Sequence, residues 1–454
     1  MVPRHALRGV GGAGRRGVRR YRVRAQGALR RVVDRVLPPL RVPAPPEEPP
    51  PPPEELVEFL RLAGLALCRG GDATGRVIEE LQALAAAYGA EQVRFFVLPT
   101  GVFVRVGAGA AARVDFEPAS GDPLRLDQIG ALYAFVDHAK KKHVPPLEGS
   151  ERIREILAAP PRFGGFTAIV GQCVLTVGLG LAVNPSVRAL LGFAVLGLFV
   201  GVLRRLAQHF TALALALPVA AALLISLAAY EVGGSWLKEN PAHLIIPPLA
   251  VFLPGSALTI GTVDLATGAM VAGASRLVQG LNMLVLLAFG IFVGVELASV
   301  PEHIDPGTPL GWWAPWLGVL VFGLGHYLAS PAPPGSFPWL IVVLYTVWGA
   351  QLAASQIGGS LLGAFAGGLA LIPLSRFVEA RPEGPPSQVT FLPAFWLLVP
   401  GALGLTGVSE LVLTNAAGGG AQFVTALLTV VAIALGVLVG SSALRQTAAG
   451  RAGM

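Results

Sequence analysis

Hydrophobic and polar positions change rhythm twice along this chain. Over 54–162 apolar residues recur at the spacings of a water-soluble fold. Leu56, Phe59, Leu60, Ala63 and Leu67 follow a helical period, and Val77, Ile78, Leu81, Leu84 and Ala85 mark one face of a second helix, opened by Asp72. Residues 93–97 and 102–106 alternate as two strands joined at Pro99-Thr100-Gly101, and 113–116 read as a third. Leu126–Lys142 predicts another amphipathic helix, whose closing lysines suit the negative end of its dipole. The pattern is that of a small α+β domain.

Beyond residue 163 the polar positions almost vanish. Apolar stretches follow at 163–182, 187–203, 210–230, 243–263, 276–297, 312–329, 337–355, 357–375, 389–407 and 421–443. At 1.5 Å per residue each can cross most or all of about 30 Å of hydrocarbon. The fold class expected is an α-helical polytopic membrane protein. It has ten transmembrane helices arranged as two inverted five-helix repeats, after a small cytosolic α+β domain.

Charge sharpens the division. The chain is 53% hydrophobic and 13% charged, against about 25% charged in soluble domains. Residues 163–454 hold nine Lys/Arg and nine Asp/Glu, which excludes a soluble or nucleic-acid-binding domain there. The net charge of +7 has a local source: residues 1–41 contain 12 Arg and one Asp. Pro43 to Pro53 then form a Pro-rich spacer, so 1–53 are expected to be a disordered basic tail that meets anionic lipid. No apolar run follows that would make the start a signal peptide. Arg162, Arg204, Arg205, Arg276, Arg376, Arg381, Arg445 and Arg451 fall between spans on the side shared with the N-terminus, and only Arg188 and Lys238 on the other. The positive-inside rule then places both termini in the cytoplasm of a cell bounded by this membrane, the inner or plasma membrane. The expected divisions are 1–53, 54–162, 163–300 and 310–445.

A shift of 146 positions superimposes two stretches of the membrane part. Pro247, Pro254-Gly255, Asp264, Gly290 and Gly294 fall on Pro393, Pro400-Gly401, Glu410, Gly436 and Gly440. With five spans in each half, the second copy enters from the opposite side, an architecture recurrent in secondary transporters. Pro and Gly within a span break the helix, and the freed backbone groups must face protein or water rather than lipid. Pro254, Gly255, Pro400 and Gly401 are therefore candidate lining of a polar path, with Ser256, Thr259, Asn282 and the intramembrane acids Asp264 and Glu410. Glycine pairs and the run Gly359, Gly363, Gly367 read as ridges for close helix packing.

No catalytic or cofactor signature is present. Gly12 to Gly17 imitates a dinucleotide fingerprint without the flanking strand and helix, and P-loop, zinc-protease and serine-hydrolase motifs are missing. His303 with Glu302 and Asp305 reads as a solvated turn. Cys68 and Cys173 make neither a disulfide framework nor a zinc spacing. Neither an enzyme nor a metal or cofactor protein is expected.

The stretch Gly71-Asp72-Ala73-Thr74-Gly75-Arg76-Val77-Ile78-Glu79, with Leu253-Pro254-Gly255, Asp264, Gly268, Gly273 and Arg276 and then Val399-Pro400-Gly401, resembles the threonine/serine exporter family over about 56–444. The resemblance implies a cytosolic N-terminal region joined to ten spans. It also implies export of small hydroxylated amino acids, driven by the proton gradient. Partners would then be threonine, serine or a similar solute, protons and the lipid bilayer, with no nucleic acid and with oligomerisation open. Relatives with similar motifs move dicarboxylates, so an organic-acid exporter is an alternative. A non-transporting membrane scaffold with a partner-binding cytosolic domain is another.

Overall fold

In the computed structural model, residues 52–107, 112–182, 185–237, 241–298, 308–381, 383–398 and 417–452 are described, and all belong to one compact unit, Pro51–Met454. The basic tail, Pro400, Gly401, Glu410, Lys238 and the His303 turn lie outside the described residues.

The N-terminal segment begins with α1 (Glu54–Arg69) and α2 (Thr74–Ala87). Three antiparallel strands follow in the order β1 (Arg94–Leu98), β2 (Gly101–Val106), β3 (Arg113–Pro118). Phe95 pairs with Val104 and Val97 with Val102, so these four side chains face the helices and are buried. Next come α3 (Leu126–Lys142), with the bounds its periodicity predicts, and α4 (Pro146–Ala158), which was not expected from the sequence. Pro145 and Pro146 start α4, where a missing N–H costs nothing. Gly149 lets α4 lie on the Phe59 ring, where a Cβ would come within 2.6 Å. The core around Phe59, Leu60, Leu81 and Leu132 continues onto Ala332 and Val389, so the segment is packed onto the membrane helices.

Cys68 lies in this core, its thiol donating to the Leu98 carbonyl, and both cysteines are free thiols. Burial pushes the Cys68 thiol up to about 12, against a weaker opposing pull from Arg276. A thiol with a pKa near 12 is about a thousandfold poorer in thiolate at pH 8 than an ordinary one. In a C173A background, Cys68 is expected to resist iodoacetamide at pH 8 until denaturant is added. Mass spectrometry of the alkylated protein checks this, and rapid labelling of the native fold would refute it.

The membrane part contains α5 (Gly165–Ala182), α6 (Val187–Ala207), α7 (Thr211–Ala228, continued by a π-helix Ala229–Leu237), α8 (Pro241–Leu249), α9 (Gly255–Ala266), α10 (Met270–Glu296), α11 (Ala314–Ala329), α12 (Ser336–Glu379), α13 (Ser387–Leu397) and α14 (Ala417–Ala452). Five of the described helices are long and apolar enough to cross a membrane, or six when the bent pair α8–α9 counts as one span. The chain is a polytopic membrane protein.

Two departures from the sequence reading concern glycine and arginine. Gly359, expected in a packing ridge, instead sits at a break in α12 with φ 75°, beside non-helical Gly358. A Cβ on Gly363 would come within 2.7 Å of the Gln351 carbonyl. Twelve residues of straight helix would separate those positions by about 18 Å. The two arms of α12 therefore fold back on each other. Arg204, expected between spans, lies inside α6 and donates to Gln172.

Glycines set the closest helix contacts. Along α5 and α11, Gly171 meets Ala329, Leu175 meets Gly325, Gly178 meets Phe322 and Ala182 meets Gly318. Numbers rise on one helix as they fall on the other, so the pair is antiparallel. Gly290 and Gly294 of α10 meet Val219 and Leu223 of α7, while Gly436 and Gly440 of α14 meet Phe365 and Leu369 of α12.

Candidate functional site

The break between α8 and α9 follows from its residues. Pro254 disfavours helical backbone at the residue before it, and Leu253 is accordingly extended (φ −67°, ψ 129°). The helix ends in a single 3-10 turn, Ala250–Phe252, and restarts at Gly255 with its axis bent by 57°. The N–H groups of Gly255, Ser256 and Ala257 have no helical carbonyl to donate to. Leu253 packs against all three apolar clusters of the membrane helices, so the break is central to them. One turn on, Thr259 is 2% exposed and its hydroxyl has no partner among the described residues. The Thr262 hydroxyl is used up on the Leu258 carbonyl of its own helix. Asn282 is exposed. Gly280 of α10 packs near Pro254, and two residues further around the helix points nearly opposite, so Asn282 is not brought to the break.

At the far end of α9, Asp264 is fully buried, and the tertiary structure supplies every partner it has. Gly268 takes φ +90° in the turn after α9, and Gly261 and Gly273 let α9 and α10 approach to backbone contact. That approach sets Arg276 beside Asp264, Nε to Oδ2 3.2 Å, an ionic contact without hydrogen-bond alignment. The other carboxylate oxygen accepts from the Thr74 backbone N–H at 3.1 Å and the Thr74 hydroxyl at 2.9 Å. Arg276 also donates to the Asp72 carbonyl at 2.7 Å.

Asp72 does not open α2, which starts at Thr74. Its carboxylate accepts instead from the Ala73 N–H and from Tyr133, at 2.8 and 2.7 Å, and pairs with Arg76 at 3.2 Å. Arg76 reaches on to the Ser387 hydroxyl at 2.9 Å, with Glu379 at 3.9 Å. Burial, reinforced by Asp72, holds the Tyr133 hydroxyl protonated, well above its ordinary range. Burial opposes charge on Arg76, but Asp72, Tyr133 and Glu379 outweigh it and keep the guanidinium charged. The segment 71–76 thus ties α9 and α10 on one side to α12 and α13 on the other.

A family model described as "Putative threonine/serine exporter" matches residues 58–298. The chain belongs to that family. No curated protein and no solved structure matches it. The family is one of transporters, and its match covers both the Gly71–Arg76 stretch and the Pro254–Arg276 hairpin, which the exporter fold presses together. Sequence reasoning singled out Asp264 but missed its partners Thr74 and Arg276 as a set. The one signal was that all three lie in stretches that carry the exporter resemblance.

Proposed function

We propose that the protein is a secondary transporter that exports threonine, serine or similar small hydroxylated amino acids, using the proton gradient. Family membership supports the transport class. The observation that carries the coupling is the full burial of Asp264 between Thr74 and Arg276, at the end of a broken span. Asp264 lies at the seam between α9 and the N-terminal segment, and a carboxylate buried there is a proton carrier once its partners leave it. Held by these partners it is a base already occupied. It takes up a proton when Thr74 and Arg276 withdraw, so proton uptake and movement of the α9–α10 hairpin are one event. At the break, the unpartnered Thr259 hydroxyl suits the hydroxyl of such a substrate.

The architecture proposed is two inverted five-helix repeats, 163–300 and 310–445, behind a cytosolic domain at 54–162, with both termini in the cytoplasm of the inner or plasma membrane. The ten spans proposed are α5, α6, α7, the α8–α9 pair, α10, α11, the two arms of α12, α13 and α14. The antiparallel α5–α11 pair supports the inversion, because these helices open the two halves. The glycine contacts support the repeat: Gly290 on Val219 and Gly436 on Phe365 differ by the same 146 positions, as do Gly294 on Leu223 and Gly440 on Leu369.

The test is purified protein in liposomes, with labelled threonine and an imposed pH gradient. Wild type is expected to drive threonine uphill, and D264N is expected to insert yet lose the gradient-driven flux. Unchanged flux in D264N would remove Asp264 from coupling. Succinate movement without threonine movement would favour the organic-acid alternative.

A further inference from the structure

We propose that Arg204, with Gln172 and His326, forms a carboxylate-binding subsite in the membrane part. Arg204 and Arg205 are neighbours in the last turn of α6, yet they behave oppositely. Arg205 is exposed and donates to Gln208 on its own helix end, the usual fate of an arginine at a span terminus. Arg204 turns inward and donates across to Gln172 Oε1 of α5 at 2.9 Å. Gly197 and Gly201 make this reach short, since α6 lies on Cys173, Thr176 and Ile169 where larger residues would hold it off.

Gln172 is held for this task. It is buried, and its Nε2 faces the Thr176 hydroxyl at 3.4 Å, which turns Oε1 toward Arg204. That single amide is the only hydrogen-bond acceptor of Arg204, and no carboxylate pairs with it, among the described residues. Arg204 is half-buried, and a guanidinium drawn partly out of water gains from a countercharge, for which its five N–H donors leave room. The ion-paired Arg76 and Arg276 show how this protein treats such groups when no ligand is meant for them.

His326 completes the arrangement. It is 4% exposed, within electrostatic reach of Arg204, and its Nδ1 has no partner among the described residues. Its ring lies between Phe322 and Trp396, so an apolar wall adjoins the polar groups. The Gly325–Leu175 contact sets His326 level with α5 about one turn from Gln172. All three residues fall within about two turns of the span ends where Arg162 bonds Tyr327 and the N-terminal segment is packed. With the N-terminal segment cytosolic, as proposed above, this is the side from which an exported solute comes. Identifying the anion as the substrate's carboxylate rests on the exporter reading, whereas the anion site itself does not. A phospholipid phosphate offers the same chemistry, and the test separates the two.

Melting of the purified protein in detergent is measured with threonine, succinate, threoninol (which lacks the carboxylate) and phosphatidylglycerol. Wild type is expected to be stabilised by threonine or succinate and not by threoninol. R204Q and H326A are expected to lose that shift, and R205Q to keep it. In liposomes, R204Q is expected to raise KM for threonine at least tenfold with a smaller change in maximal rate. Carboxylate stabilisation that survives R204Q overturns the subsite. So does a wild type that no carboxylate stabilises, or an R204Q that loses only the phosphatidylglycerol effect. Carboxylate stabilisation that depends on Arg204 in a protein that moves no threonine upholds the subsite while the exporter reading fails.

Discussion

Asp264→Ala is expected to lower the stability of the detergent-solubilised protein by about 3–5 kcal/mol, the usual cost of removing one partner of a buried ion pair. The loss arises because the Arg276 guanidinium is largely buried and, among the described residues, retains only the Asp72 carbonyl. The Thr74 N–H and hydroxyl lose their acceptor at the same time, and an unpaired buried donor costs about 1–3 kcal/mol. The double variant Asp264→Leu, Arg276→Met strands no charge, so it is expected to melt above Asp264→Ala although it lacks both ions. Neither variant is expected to carry out gradient-driven export. Thermal unfolding of the three proteins in one detergent checks the order. An Asp264→Ala protein that melts with wild type would mean that Arg276 finds water, and that the cluster is not closed.

The second large effect is expected at the α5–α11 seam. A Cβ on Gly178 would overlap the Phe322 backbone, and one on Gly325 the Leu175 backbone. Backbone cannot swing aside as a side chain can, so the helices must separate along their length. Overpacking of this kind costs about 1–3 kcal/mol where neighbours yield, and more where they do not. Without a hydrophobic drive between helices in lipid, close contact at small residues is much of what holds them. Gly178→Val and Gly325→Val are each expected to cut the yield of monodisperse protein several-fold. Gly349→Val is the control, since nothing lies within 4 Å of a Cβ there. Size-exclusion profiles of the three variants decide the matter. Equal profiles for all three would show that the seam is looser than the glycine contacts imply.

The elements were largely legible in the sequence, and their limits were legible where proline or charge wrote them. Leu126–Lys142 is bounded by its own periodicity and lysines, and the α8–α9 break by Pro254. The helix α4 escaped notice because only Ile153 and Ile156, with small Gly149 and Ser150, are buried in it, too few for an apolar stripe. The Gly358–Gly359 reversal escaped because a glycine in an apolar run reads equally as packing and as a turn, and φ distinguishes them. Of the candidate site residues, Thr259 and Asp264 are buried together on α9 and Asn282 is turned away.

By itself, the sequence determined the class of the molecule: a scarcity of charge over nearly 300 residues leaves lipid as the only surroundings in which such runs are stable. It also determined the break at Pro254 and the presence of an acid in a span, because backbone chemistry and charge are local properties. Which charges meet is set by packing between distant segments. Thr74 and Asp264 are 190 positions apart, Asp72 and Arg276 204, and Arg76 and Ser387 311. Nothing in a one-dimensional pattern encodes those distances. They follow from glycine contacts that let helices touch, and from an N-terminal core that closes on Ala332 and Val389. Arg204 makes the same point, since adjacent positions in the last turn of α6 leave Arg205 exposed and turn Arg204 onto Gln172 of α5.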